Sequence, residues 1–103
     1  MTDVPFLPAA QAELLRIIEQ YDAEDPGLVA DFLDEAEHAT QRIAAFPEHG
    51  SPYLRGTRRV VLRRLPFSLV YQGDPTDLVI VAVAHHRQRP GYWLSRLRQD
   101  RRK

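Results

Sequence analysis

Residues 78–84 read Leu-Val-Ile-Val-Ala-Val-Ala, without one polar side chain. The run is too short to span a membrane and is bounded by Asp77 and His85. Its β-branched content marks it as a strand. Side chains alternate across a strand, so this one is apolar on both faces and must be covered on both. It therefore predicts a central strand packed beneath helices. A chain of 103 residues has surface to bury for one such core, which predicts a single domain over residues 1–103.

The covering helices are found in the first half. Val4, Pro5, Phe6 and Leu7 form a short apolar start, with Pro5 restricting it to a sheet edge. Pro8 suits a first helical position. Leu14, Leu15, Ile17, Ile18 and Tyr21 then mark an apolar stripe at helical spacing, with Glu13, Arg16, Glu19 and Gln20 on the other face. This helix should stop near Tyr21 and Asp22. Asp25 is a candidate N-cap for a second helix, with Pro26 in its first turn. Val29, Phe32, Leu33, Ala36, Ala39, Thr40, Ile43 and Phe46 form its stripe, and Asp31, Asp34, Glu35 and Glu37 its solvated face. Pro47 ends it. The period then changes. Residues 59–65 and 67–71 read as two strands separated by Pro66, and residues 77–85 as a third, joined by turns short enough for an antiparallel meander. A last helix is predicted over residues 92–98. The order is strand, two helices, three strands and a tail: an α+β fold with an N-terminal strand and a helical hairpin packed on a small, mainly antiparallel sheet.

Charge is balanced overall, 14 basic against 14 acidic residues, but not along the chain. Residues 1–52 contain two basic residues, Arg16 and Arg42, against a long series of carboxylates; the second half is arginine-rich. Two readings follow: the halves attract each other across the fold, or the basic half meets an anionic partner such as nucleic acid or its machinery. There is no cysteine, hence no disulfide and no thiolate chemistry. Without a membrane span or a signal-peptide pattern, the expected location is the cytoplasm.

Little in the chain suggests cofactor chemistry. The glycines are scattered, with no phosphate-binding loop. His85 and His86 are adjacent in a predicted strand, point to opposite faces and cannot readily share a metal ion. No cofactor and no metal are expected. Two clusters remain. Arg55, Arg58, Arg59, Arg63 and Arg64 surround the first long strand and suggest a basic sheet face, Arg58, Arg59, Arg63 and Arg64 being its core; the plain alternative is solvated charge that guards the strand. His86, Arg87, Arg89, Tyr92 and Trp93 lie around the Pro90-Gly91 turn, where arginines and aromatics suit a partner interface. The alternative there is that Tyr92 and Trp93 cap the core, and it is strongest for Trp93.

The loop Phe46-Pro47-Glu48-His49-Gly50 resembles the F-P-x-x-G loop of RelE/ParE-type toxins of bacterial type II toxin–antitoxin systems. The strands at residues 58–71 and 79–85 fit the sheet of that family. The ending His85-His86-Arg87-Gln88-Arg89-Pro90-Gly91-Tyr92-Trp93 is similar to the tail of its ParE-like branch. The likeness runs from about residue 4 to 97.

The resemblance implies a small toxin neutralised by a cognate antitoxin. RelE-like members cleave messenger RNA on the ribosome; ParE-like members poison DNA gyrase. Where RelE-like toxins place an arginine before Leu-Val-Tyr, this chain has Ser68, and of their strand lysine pair one position is Arg59 and the other Val61. A phosphoryl site without those cations loses about 2.7–4 kcal/mol of transition-state stabilisation per donor, by analogy with oxyanion holes. The resemblance therefore favours the ParE-like reading, with His86, Arg87, Arg89, Tyr92 and Trp93 binding the target. The alternative is a ribosome-dependent endoribonuclease using Arg59, Arg87 and Tyr92. A third reading is a non-toxic relic that only binds its antitoxin.

Overall fold

The computed structural model describes residues 4–99. Helices α1 (Pro8–Glu24) and α2 (Gly27–Ala45) form the hairpin. Strands β1 (Ser51–Pro52), β2 (Arg58–Val61), β3 (Phe67–Gln72) and β4 (Val79–His85) follow, with a 3-10 turn at Leu54–Gly56 and a closing helix α3 (Leu94–Gln99). The sheet is antiparallel throughout, in the order β1-β2-β3-β4. The architecture is α+β, as expected.

The apolar strand is β4, and it is the last strand of the ladder rather than a central one. Its outer edge is nonetheless covered. The N-terminal segment makes a single parallel bridge, Phe6 to Ile80, in which Ile80 N–H donates to Pro5 O at 2.8 Å and Leu7 N–H to Ile80 O at 2.9 Å. The predicted N-terminal strand is reduced to this bridge because Pro5 has no N–H to extend it. Both faces of β4 are buried. Ile80 and Val83 join Phe32, Ile43, Leu69 and Tyr71 under the helical hairpin, while Val79, Val81 and Ala82 pack with Val70 beneath Trp93. A bulge lets neighbours 81 and 82 share that second face: Val70 pairs with Ala82 and Tyr71 with Ile80, leaving Val81 without an opposite residue.

Several local expectations needed tertiary information. Helix α1 runs on to Glu24, and the N-cap of α2 is Pro26, without any side-chain cap from Asp25. Strand β2 ends at Val61, short of the predicted residue 65. There Leu62 N–H donates to Phe67 O at 2.9 Å and Phe67 N–H to Leu65 O at 2.8 Å, so residues 62–66 close into a tight turn with Leu62 and Leu65 buried. Helix α3 begins at Leu94, two residues late, because residues 90–93 are spent on the turn.

The Phe46–Gly50 loop, expected to be irregular, is tied to the sheet by Tyr71. The Tyr71 hydroxyl donates to Pro47 O at 2.6 Å and accepts from Gly50 N–H at 2.9 Å. Arg58 adds a bond from its guanidinium to Gly50 O at 2.7 Å. A Cβ on Gly50 would sit 2.8 Å from the Tyr71 ring and 3.1 Å from Arg59 O, so the close approach requires glycine. Gly50→Ala is expected to displace Tyr71, break both hydroxyl bonds and cost about 1–3 kcal/mol in urea denaturation. A variant as stable as the parent would show that this loop does not depend on the contact.

Candidate binding face and its buried anchor

The tail turns at Pro90-Gly91, where Gly91 takes a φ of +83°, in the left-handed region. This turn drives Trp93 onto the face of the sheet away from the helices, where it is 1% exposed against Val70, Val79 and Val81. The Tyr53 ring lies 5.9 Å from Trp93, and the Arg59 guanidinium stands 4.5 Å over Tyr53. A Cβ on Gly91 would come within 3.4 Å of Leu54, so the β1–β2 connection and the tail turn touch. Within that connection Arg55 adopts φ +55°, which costs a non-glycine residue roughly 1–2 kcal/mol.

Beneath the tail lies a network that the sequence reading missed. Glu13, expected on the solvated face of α1, is buried. Its carboxylate accepts from Val83 N–H at 3.0 Å, from the Tyr92 hydroxyl at 2.6 Å, and from both guanidinium nitrogens of Arg96 at 2.9 Å. Arg96 also donates to Val81 O at 3.1 Å, the carbonyl at the bulge. Thus α1, the β4 edge, the tail turn and α3 meet at one carboxylate. A bidentate, charge-assisted pair that also binds backbone is the strong form of such contacts.

The same network controls Tyr92. Burial, then the hydrogen bond to Glu13 and its charge, push the Tyr92 hydroxyl far above the ordinary tyrosine range, and Arg96 only partly offsets this. Tyr21 is also raised, by burial and then by Glu24. A tyrosine raised in the folded state holds its proton more tightly there than in the unfolded chain. Its contribution is complete below the unfolded value of about 10 and is lost as pH rises past that value toward the folded one. Stability should therefore fall above about pH 10, and Tyr92→Phe should flatten that alkaline limb while removing about 1–3 kcal/mol at neutral pH. Melting temperatures measured across the alkaline range check both; an unchanged limb in Tyr92→Phe would contradict the assignment.

The predicted site residues are dispersed. Trp93 is a core residue, as its plain alternative held, and offers no surface to a target. The Tyr92 hydroxyl is committed to Glu13. His86 shares a hydrogen bond with Ser68 at 2.9 Å, and Ser68 is buried. His85 is half-buried, edge-on to Phe67 at 5.0 Å, with its Nδ1 accepting from Arg87 N–H at 3.0 Å. Arg87 and Arg89 are exposed beside it. The basic sheet face does not form as one stripe. Arg58 turns to the Gly50 loop, Arg59 stacks on Tyr53, and Arg63 and Arg64 lie in the turn beyond β2. Arg64 is paired with Glu35 at 3.3 Å. Glu35, placed on the solvated face of α2 by its sequence, also accepts from the N–H groups of Arg63 and Arg64 at 2.9 and 3.3 Å. Among the described residues only Glu13–Arg96 and Glu35–Arg64 join the acidic half to the basic one, so most of the charge asymmetry stays at the surface. No group of His, Cys, Asp or Glu among the described residues is placed to hold a metal, and no described helix is long and apolar enough to cross a membrane.

No curated protein matches the chain in sequence. Among solved structures, the fold is similar to one titled "Chromosomal ParDE TA system from P. aeruginosa", with a TM-score of 0.68 and 18% identity, covering 82% of this chain and 96% of that one. At that identity the likeness speaks for the fold. The sequence itself matches the family described as ParE toxin of the type II toxin–antitoxin system, parDE, over residues 4–90. The match takes in the helical hairpin, the Gly50 loop and the whole sheet, and ends just before Tyr92 and Arg96. The chain thus belongs to the ParE toxin family of type II toxin–antitoxin systems.

Proposed function

We propose that this ParE-family chain arrests growth by inhibiting DNA gyrase and is neutralised by a cognate antitoxin. The observation that carries the choice of gyrase over messenger RNA is the state of the nuclease candidates. Tyr92, the one group among Arg59, Arg87 and Tyr92 able to exchange a proton, is hydrogen-bonded to a buried carboxylate and raised well above neutrality. General acid–base catalysis needs a group poised near the working pH, and this one is far from it. The position that would carry a further cation is Ser68, which is buried and bonded to His86.

His86, Arg87 and Arg89 are the members of the proposed target-binding set that remain exposed, with His86 held by its bond to Ser68. Gyrase supercoiling and DNA-cleavage assays with the purified chain should show lost supercoiling and accumulated cleaved DNA. Arg87→Glu/Arg89→Glu should abolish this effect and the growth arrest, with a change in stability under about 0.5 kcal/mol, since both are surface sites. Intact gyrase activity together with cleaved transcripts after induction would favour the endoribonuclease instead. Expression without growth arrest would favour the relic.

A further inference from the structure

The turn that carries Arg87 and Arg89 leaves none of its backbone N–H groups from residue 85 to 88 free. His85 N–H donates to Gln88 Oε1 at 2.8 Å, and Arg87 N–H to His85 Nδ1 at 3.0 Å. Gln88 N–H returns to His85 O at 3.0 Å, and His86 N–H reaches Pro66 O at 2.9 Å. Tyr92 N–H then donates to Arg89 O at 3.2 Å, which closes the turn leading to the buried Trp93. Two of these bonds end on side chains of the turn itself, those of His85 and Gln88. Water would serve the same groups on an exposed turn without the cost of ordering the chain.

The His85 ring is also held from outside the turn. It stands edge-on to the buried Phe67 ring at 5.0 Å. His85 and Gln88 line a cleft of about 490 Å³ against α1, together with Arg16, Glu19 and Gln20. The charged and titratable groups around His85 are therefore Arg16 and Glu19 on α1, and His86 and Arg87 in the tail. Glu13, at the same cleft, is committed to Arg96 and Tyr92. Among the described residues Arg87 N–H is the only hydrogen-bond partner of the His85 ring. We infer that His85 and Gln88 are positioning residues, which hold the turn so that Arg87 and Arg89 meet the target already ordered. Preordering raises affinity because the loop is not fixed at the expense of binding. The inference rests on the reading of Arg87 and Arg89 as target contacts and deepens it. An acceptor at Nδ1 also makes the fastening sensitive to acid. An imidazolium has donors on both ring nitrogens, so protonation takes the acceptor from Arg87 N–H and sets two donors face to face.

The test uses the full chain, labelled with nitrogen-15, and its variants His85→Asn, His85→Leu and Gln88→Ala. An asparagine Oδ1 accepts as Nδ1 does but takes up no proton. Hydrogen exchange of the Arg87 amide, corrected for its intrinsic pH dependence, should show protection at about pH 8 that is lost toward about pH 5, the span in which histidine changes charge. His85→Asn should stay protected throughout, and His85→Leu unprotected throughout. In gyrase and growth-arrest assays near neutrality, His85→Leu and Gln88→Ala should act at least about tenfold more weakly than the parent, and His85→Asn within about twofold of it. Amide spectra and melting temperatures report whether each variant is folded, and Gln88→Ala changes an exposed residue only. Arg87 protection in His85→Leu equal to that of the parent, or full potency of both His85→Leu and Gln88→Ala, would refute the proposal. A parent chain that leaves gyrase untouched would overturn the gyrase reading instead, and the exchange result alone would then decide the fastening.

Discussion

Glu13→Ala is expected to remove about 3–5 kcal/mol of folding stability, the range for breaking a buried ion pair by deleting one partner. The residue looks dispensable in the sequence and is the opposite in the structure. Its side chain is 6% exposed, and that of Arg96, which it pairs with, 16%. Alanine would leave a guanidinium, the Tyr92 hydroxyl and the Val83 N–H without their acceptor at the sheet edge. Small domains have about 5–15 kcal/mol in all, so the loss is a large share of the total. Helix α3 has only six residues, too few to persist alone, and should detach. Urea denaturation reads the first effect, and hydrogen exchange along α3 reads the second. A companion variant, Glu13→Leu/Arg96→Met, separates the pair from the burial: it should recover much of the loss, because no charge is left stranded. A single variant that costs under about 1 kcal/mol would mean that the network merely decorates a helix held by packing.

Trp93→Ala should be comparably severe, at about 3–5 kcal/mol, for a different reason. Trp93 covers Val70, Val79 and Val81, and is itself 1% exposed. Deleting it opens one face of β4, where the remaining cover is Tyr53, Tyr92 and the Leu94 and Leu97 side chains of the six-residue α3. Trp93→Phe keeps a ring against Tyr53 and should be milder. Thermal melting distinguishes the three proteins, since each 1 kcal/mol lowers the melting temperature by roughly 4–8 °C in a domain of this size. Growth arrest lost in Trp93→Ala would then report unfolding, whereas growth arrest lost in Arg87→Glu/Arg89→Glu at unchanged stability would report a contact with the target. A Trp93→Ala protein of parental stability would show that the tail is not part of the core.

The same comparison explains why the candidate site was only partly legible. Arg87 and Arg89 stand exposed at the turn that Pro90-Gly91 announced. Tyr92 and Trp93 share the turn, but a neighbouring residue number says nothing about which side chain goes into the core. Trp93 fills a concavity made by residues of β3 and β4, and Tyr92 meets a carboxylate 79 positions away. Neither partner is visible from the local pattern.

The two glutamates show where the boundary lies. Each falls inside an apolar stripe: Glu13 three residues after Ala10 and four before Ile17, Glu35 three after Phe32 and four before Ala39. Those positions face the sheet by helical geometry alone, so the anomaly was present in the sequence. What they bind was not. Glu13 and Glu35 take up backbone N–H groups that the sheet leaves unpaired, Val83 on the outer edge of β4 and Arg63 and Arg64 past the end of β2. The two helices, the antiparallel sheet and the turns were set by local periodicity and by proline and glycine, which act within a few residues. The buried charges and the end of β2 at Val61 depend on where strands stop. Strand ends are decided by distant partners competing for the same hydrogen bonds, and only the tertiary structure brings those partners together.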